Sequence, residues 1–249
     1  MTRTLTLDIW RQTSSSNGHF ETYRVDDASD DMSLLELLDR LNEQLVSDGH
    51  EPVVFDSDCR EGICGTCGVT VDGVPHGPVP NTPSCKQHVR SLGSDHVRIE
   101  PFRSAAFPVV RDLAVDRSAL DRVIAAGGHV AVDAGTAADA DSVPITHDEA
   151  ELGLDFAACI GCGACVAACP NGAANLFAGS KLMHLTFFPN AKQERGRRAQ
   201  AIGDELEAEF GPCSVYGECV PVCPAGIPLS AVAAVNRERL RRVLRHKDD

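Results

Sequence analysis

Hydrophobic and polar residues alternate along the first part of the chain, which is typical of β-strands. Residues 3–11 alternate with period two and residues 20–25 form a second extended run, so the turn-forming sequence SSSNG at 14–18 predicts a β-hairpin. Ser33 is placed to cap a following helix, and Gly49 closes it. The leucines of that helix recur at helical spacing, at positions Leu34, Leu37, Leu38, Leu41 and Leu45.

Short strands are predicted after this helix, around a loop rich in glycine and cysteine. Residues 53–55 form the first of them, and Asp72-Gly73 marks the turn of a hairpin flanked by valines. The run VRIEPF at 97–102 gives a last strand. Two strands, a helix and further strands predict a small β-grasp-like α+β unit.

The β signals stop near Pro108, and the pattern beyond it is helical. Residues 118–126 are predicted to form a helix, residues 133–142 form an exposed acidic connection, and the remainder is rich in alanine. We therefore expect an α+β protein of two domains. The first domain is expected at 1–111 and the second, mainly α-helical, at 112–249.

Charge and composition narrow the classes of function. The 249 residues carry a formal net charge of −13, which repels phosphate, so we expect no nucleic-acid partner and only local contact with a membrane. No apolar run approaches the length of a spanning helix, and the N-terminal residues lack a signal-peptide core, which predicts a soluble, cytoplasmic chain. The 11 cysteines lie in three tight groups, which favours thiolates that hold metal over a disulfide framework.

The first cysteine group has the spacing Cys59-x4-Cys64-x2-Cys67, and Cys85 follows after seventeen intervening residues. This is the plant-type ferredoxin spacing for a 2Fe-2S cluster. Glycines between the cysteines permit tight turns that point backbone N–H groups at the sulfurs. A zinc ion held by four thiolates is the alternative. It is disfavoured because zinc sites usually pair two Cys-x2-Cys units, and this group has one.

The second group, Cys159-x2-Cys162-x2-Cys165-x3-Cys169-Pro170, is the bacterial ferredoxin motif. If the chain turns helical after the loop, Cys165 and Cys169 lie one helical turn apart and can face two different clusters. A further cluster is therefore expected.

The third group supplies the remaining ligands. It repeats the second motif with Tyr216 in place of one cysteine. Pairing across the two motifs gives four thiolates, which support a 4Fe-4S cluster, and three thiolates, which support a 3Fe-4S cluster. A phenolate from Tyr216, or a water molecule, on a fourth iron is the alternative to 3Fe-4S. The predicted ligands are Cys159, Cys162, Cys165 and Cys223 for 4Fe-4S, and Cys169, Cys213 and Cys219 for 3Fe-4S.

Motifs for substrate chemistry are missing from the sequence. It has no Walker loop, and Gly161-x-Gly163 continues to Val166 rather than to the glycine of a dinucleotide fingerprint. No Ser/His/Asp or Cys/His arrangement is recognisable, so we expect a chain that carries electrons and has no catalytic residue of its own. The basic stretches at 192–198 and 237–247 are expected to face either a membrane surface or, as charge runs usually do, solvent or an acidic protein surface.

The order of these motifs resembles the iron-sulfur subunit of succinate dehydrogenase/fumarate reductase. CREGICGTC at 59–67 precedes the two Cys-Pro motifs, and DLAVDRSALDRVIA at 112–125 is similar to the segment that joins the two units in that family. The resemblance covers nearly the whole chain.

The resemblance implies an electron-transfer subunit of a membrane-bound succinate:quinone oxidoreductase. Its partners would be a flavoprotein subunit that holds FAD and membrane-anchor subunits at which quinone is reduced. Electrons would run from FAD through 2Fe-2S, 4Fe-4S and 3Fe-4S to quinone. The chain would be peripheral to the inner (plasma) membrane, on its cytoplasmic side. A fumarate reductase or another flavoprotein complex is the first alternative, and a structural zinc protein is the second.

Departures from the family pattern lie near the last cluster. Many ubiquinone-linked members have a Trp shortly after the Cys-Pro of the second motif and a His directly after the first Cys of the third. This chain has PNGAANLF at 170–177 and Ser214 at those places. The departures favour a menaquinone-type enzyme. The positions expected to border the quinone are Pro170, Ser214 and Tyr216.

Overall fold

The structure is a computed structural model that describes residues 2–13, 17–131, 145–187 and 192–245. The predicted turn at 14–18 lies partly outside these residues, and the predicted connection at 133–142 lies wholly outside them. The chain divides into two compact units. The first comprises Met1–Arg117, Ile160–Ala168 and Pro221–Gly226, and the second comprises Ser118–Cys159, Cys169–Val220 and Ile227–Asp249. The domain limits drawn from the sequence, 1–111 and 112–249, stay a prediction.

A five-stranded mixed sheet is the frame of the first unit. Its strands are β1 (Thr2–Arg11), β2 (His19–Ser29), β3 (Val69–Val71), β4 (Val74–Pro75) and β5 (His96–Pro101). They are ordered β2-β1-β5-β3-β4, with β1 and β5 parallel and the other neighbours antiparallel. A two-stranded sheet of β6 (Val109–Arg111) and β7 (Ala114–Val115) follows. The β1–β2 hairpin and the hairpin at Asp72-Gly73 confirm two of the predictions.

One helix of the first unit, α1 (Leu34–Ser47), buries its leucine face in the same core as the sheet. Ser33 caps the helix as predicted: its Oγ accepts the Glu36 N–H at 3.2 Å, and the Glu36 carboxylate accepts the Ser33 N–H at 2.7 Å. Burying each leucine contributes about 1.5–3 kcal/mol. The buried residues of α1 are Leu34, Leu35, Leu37, Leu38, Leu41 and Leu45.

The segment at 53–55 is not a strand, so this prediction was wrong. Its main chain bonds mostly side chains where a strand would bond a neighbouring strand, apart from the Leu113 N–H, which donates to the Val54 carbonyl at 3.0 Å. Asn42 of α1 exchanges two hydrogen bonds with the Val53 main chain, at 2.7 and 2.9 Å, and the Asp112 carboxylate accepts the Val54 N–H at 2.9 Å. These polar side chains satisfy main-chain groups that a ladder would otherwise satisfy. The local pattern of apolar residues does not reveal that side chains take the place of a neighbouring strand.

The second unit is helical, whereas the short helix α4 (Ala164–Ala168) belongs to the first unit. The helices of the second unit are α2 (Ser118–Val123), α3 (His147–Ala157), α5 (Asn175–Thr186), α6 (Lys192–Glu209) and α7 (Ala234–Arg245). The centre of α5 is buried, and a Cβ at Gly179 would lie 1.8 Å from the Ala231 carbonyl oxygen, so only glycine fits there. Among the described residues, no helix is both long enough and apolar enough to cross a membrane.

Arginines of the two basic stretches make contacts inside the helical unit. Arg198 of α6 is buried, and it donates to Glu194 at 2.8 Å and to the Gly127 carbonyl at 3.2 Å. Arg239 of α7 pairs with Glu207 of α6 at 2.6 Å. These contacts favour a structural role for the arginines that make them over a membrane-facing one.

The buried His76 predicts a loss of stability in mild acid. Its Nδ1 lies 2.9 Å from the Ser84 Oγ, and its ring meets Phe102 edge to face. Burial, followed by the positive charge of Arg117, lowers the pKa of His76 to about 4. In the unfolded chain the His76 imidazole binds a proton near pH 6.5, whereas in the native chain it stays neutral down to about pH 4. The free energy of unfolding therefore falls as the pH drops from about 6.5 toward 4.

We expect His76→Gln to reduce this pH dependence by about 2 kcal/mol between pH 7.5 and pH 5. The measurement is the unfolding temperature at both pH values, at one scan rate. His50→Gln is the matched control, because His50 is exposed and its replacement should leave the pH dependence as in the wild type. An equal pH dependence in the wild type and His76→Gln would contradict the account.

Candidate metal centres

The loop of the first cysteine motif directs backbone N–H groups at one sulfur. The Cys59 Sγ accepts the N–H groups of Glu61, Cys64 and Ile63 at 3.3, 3.3 and 3.5 Å. The chain turns sharply enough because Gly62 adopts a left-handed conformation, with φ of 83°. These donors lower the pKa of Cys59 to about 6, so the thiolate, which is the form that binds metal, prevails at neutral pH.

Two further cysteines of the first motif are buried. Cys67 follows the loop, and Cys85 lies in the 3₁₀ turn Ser84–Lys86. Burial raises the pKa of Cys67 to about 12, so a metal must displace a proton from this thiol. Amide donors on the half-buried Cys59 and thiols inside the fold suit an iron-sulfur cluster, whose charge is stabilised by hydrogen bonds to sulfur and by limited exposure to water.

Arg60 joins this loop to α1. Its guanidinium donates to both carboxylate oxygens of Asp39, one of them at 3.1 Å. Arg60 itself has a positive φ of 55°, which an ion pair to a rigid helix helps to hold. The sequence carried no sign of Asp39 as a partner, because the two residues lie on different elements.

All 11 cysteines lie in the described part of the chain, and none is joined in a disulfide. Over residues 2–13, 17–131, 145–187 and 192–245, no group of three His, Cys, Asp or Glu side chains is spaced to hold a single metal ion. The thiolates of an iron-sulfur cluster are distributed over two or more irons, so they need not all meet at one point.

The chain turns helical within the second motif, but the helix α4 ends one residue before Cys169. Gly161 and Gly163 turn the loop with positive φ values of 69° and 86°, and α4 then carries Cys165. Cys169 is the first residue beyond α4. Of the predicted 4Fe-4S ligands, Cys162, Cys165 and Cys223 lie in the first unit, and Cys159 is counted with the second.

Two polar residues outside the motifs bind carbonyl oxygens of these cysteines. Lys181 of α5 donates from Nζ to the Cys159 carbonyl at 2.8 Å. Asn81 donates from Nδ2 to the Cys223 carbonyl at 2.7 Å. Neither residue follows a recognisable pattern, so sequence reasoning missed both.

The three cysteines predicted for the third cluster line one cavity of the helical unit. Cys169, Cys213 and Cys219 share its wall with Pro170 and Tyr216. The rim is apolar and open, since the side chains of Val215 and Tyr216 are 61% and 63% exposed. Ser214 is absent from the lining residues in the described part of the chain. The Ser214 Oγ instead accepts a hydrogen bond from Asn171.

Asn171 links the end of the second motif to the start of the third. Its Nδ2 donates to the Pro212 carbonyl and to the Ser214 Oγ, both at 2.9 Å. The two chains approach so closely that a Cβ at Gly211 would lie 1.7 Å from the Asn171 carbonyl oxygen. Asn171 therefore positions Cys213, which stands between its two partners.

A sheet-based unit with a plant-type cysteine loop, in a chain that also carries paired Cys-Pro motifs, indicates an iron-sulfur protein. Family models agree with both modules: a 2Fe-2S iron-sulfur cluster binding domain matches residues 6–122, and a 4Fe-4S dicluster domain matches residues 158–227. The predicted α+β fold class is confirmed.

Similar proteins indicate which family of iron-sulfur proteins the chain resembles. The chain is 30% identical to the succinate dehydrogenase iron-sulfur subunit of Bacillus subtilis, over 75% of this chain and 72% of the relative. It is 26% identical to the fumarate reductase iron-sulfur subunit of Wolinella succinogenes, over 96% and 98%. The fumarate reductase iron-sulfur subunit of Mycobacterium tuberculosis is 32% identical over 73% and 71%.

A solved structure shares the fold. A chain of the Mycobacterium smegmatis Sdh1 complex in the apo form aligns with a TM-score of 0.72 and 22% identity, over 100% of this chain and 99% of that chain. The chain belongs to the family of succinate dehydrogenase/fumarate reductase iron-sulfur subunits. The predicted family is thus confirmed.

We expect Asn171→Asp to weaken the third site. The new carboxylate keeps the shape of the side chain but loses the Nδ2 donor and places an oxygen against the Pro212 carbonyl. The cost is about 1–3 kcal/mol of stability and about a 10–100-fold loss of metal affinity. Unfolding temperature and iron per chain measure these effects. Asn17→Asp is the control, since Asn17 is exposed and belongs to the first unit, and equal behaviour of the two variants would contradict the role of Asn171.

Proposed function

We propose that the chain is the electron-transfer subunit of a membrane-bound succinate:quinone oxidoreductase. The clusters, when bound, supply one-electron carriers between FAD in a flavoprotein subunit and quinone at a membrane anchor, in the order 2Fe-2S, 4Fe-4S, 3Fe-4S. The chain's own residues bind and space these carriers and break no substrate bond. The proposed peripheral position on the cytoplasmic side of the membrane follows from such an anchor.

The cavity of the second unit is the observation that carries this proposal. Cys169, Cys213 and Cys219 line it together, while Tyr216 stands where the repeat would place a fourth cysteine. Three thiolates suit a cluster that lacks one iron, which is the proposed 3Fe-4S centre. Tyr216 as a phenolate ligand, or a water molecule, is the alternative, and the variants below distinguish it.

The other ligand sets follow the spacing of the motifs. Amide donors at Cys59 and the burial of Cys67 support a 2Fe-2S cluster in the first motif. Lys181 and Asn81 hold the carbonyls of two proposed 4Fe-4S ligands. The proposed sets are Cys59, Cys64, Cys67 and Cys85 for 2Fe-2S, then Cys159, Cys162, Cys165 and Cys223 for 4Fe-4S, and Cys169, Cys213 and Cys219 for 3Fe-4S.

The rim of the third cavity suits an apolar ligand and an apolar partner. Val215, Tyr216 and Leu229 are partly or largely exposed there, and Pro170 adds a rigid apolar edge. An anchor subunit that covers this rim would enclose a quinone next to the terminal cluster. Ser214, which is bonded to Asn171, occupies the position of the histidine found in many ubiquinone-linked members of the family. Its presence supports menaquinone as the proposed quinone.

Fumarate reduction is the second candidate, favoured by the match to fumarate reductase subunits over nearly the full length of the chain. The same residues serve both directions, because the driving force lies in the potentials of the donor and the acceptor rather than in the ligands. A structural zinc protein is disfavoured by the matches to two iron-sulfur domain models.

We expect Cys213→Ser to separate the two half-reactions in the assembled complex. Loss of a thiolate at the cavity should lower quinone reduction by about tenfold or more, while succinate oxidation with an artificial dye at the flavin stays close to the wild type. Steady-state rates with both acceptors measure this. Equal loss of both activities in an assembled complex would contradict the proposed order.

We expect Tyr216→Cys to convert the third centre toward 4Fe-4S, because the new thiol completes four ligands around the cavity. The oxidised-state EPR signal should then diminish while iron per chain rises by about one. Tyr216→Phe is the matched control: it keeps the ring and removes the phenol. An unchanged signal at unchanged iron content in Tyr216→Phe supports a vacant position, whereas the appearance of an oxidised-state signal together with the loss of about one iron in that variant would establish phenolate ligation.

A further inference from the structure

The loops of the first and second cysteine motifs touch within the first unit. Gly65 lies between Cys64 and Cys67, and Ile160 lies between Cys159 and Cys162. A Cβ at Gly65 would stand 2.3 Å from the Ile160 carbonyl oxygen and 3.1 Å from the Cys162 nitrogen. Gly65 also has a φ of +75°, so both its conformation and its surroundings require glycine. The two main chains are therefore in direct contact between their cysteine ligands.

Arg117 spans this contact from the segment that precedes α2. Its Nη1 donates to the Gly65 carbonyl and, at 2.9 Å, to the Cys162 carbonyl. A guanidinium is charged at every physiological pH and offers several donors in a fixed plane, so one side chain can hold two loops. Both bonds are partly buried, where a charge acts more strongly on its surroundings than it does in water.

Asn81 makes a second connection of the same kind. Its backbone N–H donates to the Pro221 carbonyl at 3.0 Å, and its Nδ2 donates to the Cys223 carbonyl at 2.7 Å. Two main-chain oxygens of proposed 4Fe-4S ligands, on Cys162 and Cys223, are thus bound by residues of the N-terminal segment.

We propose that Arg117 is a positioning residue that holds the loops of the first and second motifs together and whose charge raises the reduction potentials of the two clusters held there. Each electron that enters a cluster adds negative charge, and a fixed, partly buried cation stabilises the reduced state. This inference rests on the proposed ligand sets. It assigns a role to a residue outside every cysteine motif.

Replacement of Arg117 in the assembled complex tests the charge. Arg117→Gln keeps a donor and removes the charge, whereas Arg117→Lys keeps the charge and loses the planar fork. The readout is an EPR-monitored redox titration of all three clusters, with iron and sulfide assayed on the same sample. Arg24→Gln is the control, because Arg24 carries an exposed charge paired with Asp26 on β2.

The expected result is a shift of the first two clusters to lower potential in Arg117→Gln at full iron content. The third cluster should titrate as in the wild type, Arg117→Lys should recover most of the shift, and Arg24→Gln should show none. Wild-type potentials in Arg117→Gln would overturn the proposal. An equal shift of all three clusters would also overturn it, because the effect would then be a general one.

Two variants that change no charge test whether the contact between the two loops positions the clusters. They keep the proposal testable if Arg117→Gln loses iron. Gly65→Ala forces a methyl group against the Ile160 carbonyl, whereas Gly73→Ala meets open space at nearly the same backbone angle, φ +82°. We expect Gly65→Ala to weaken the magnetic interaction between the first two reduced clusters, seen as slower relaxation of the 2Fe-2S signal, and Gly73→Ala to leave it unchanged. Equal behaviour of both variants would overturn the inference.

Failure of this inference is distinguishable from failure of the proposed function. The titration of Arg117 variants is read on the first two clusters, whereas the proposed function stands on the third centre and its three thiolates. A missing 3Fe-4S signal in the wild type would count against the proposed function and would leave the Arg117 comparison intact.

Discussion

Thiolates gathered at one place repel one another, and this electrostatic cost shapes the cysteine loops of the chain. At Cys59 the cost is offset by three amide N–H groups that converge on the sulfur, in a loop that Gly62 and the Arg60–Asp39 pair hold in shape. The thiol of Cys67 differs, because burial raises its pKa and it releases its proton only when a metal binds the sulfur. The frame of sheet and helix serves to place these loops.

Main-chain oxygens of the cysteine motifs are a recurring point of attachment. Arg117, Asn81 and Lys181 each bind the carbonyl of a cysteine, and Asn171 binds the carbonyl before Cys213 and the hydroxyl after it. Such bonds fix the backbone and leave the sulfur available for iron. They also place hydrogen-bond donors and charges close to the proposed clusters, so the same contacts that fix the backbone would also affect the reduction potentials of those clusters.

The sequence predicted elements that local pattern specifies. The β1–β2 hairpin, the capped helix α1 and the turn at Asp72-Gly73 each have a periodicity and a turn signal of their own. The strand predicted at 53–55 does not form, because the main chain there bonds the side chains of Asn42, on the preceding helix, and of Asp112, which is distant in the sequence. For the same reason Arg117, Asn81 and Asn171 were missed. A single polar residue that binds a distant carbonyl leaves no pattern, and neither does the grouping of Ile160–Ala168 and Pro221–Gly226 with the N-terminal unit.

The central claim is that one chain holds three different clusters, the last with three thiolates. EPR during stepwise reduction of the anaerobically isolated protein, with iron, zinc and sulfide assayed on the same sample, tests it most directly. The account predicts about nine irons per chain and a nearly isotropic oxidised-state signal that disappears on reduction while a 2Fe-2S signal grows. Silence in the oxidised state with about ten irons, or zinc without sulfide, would contradict it.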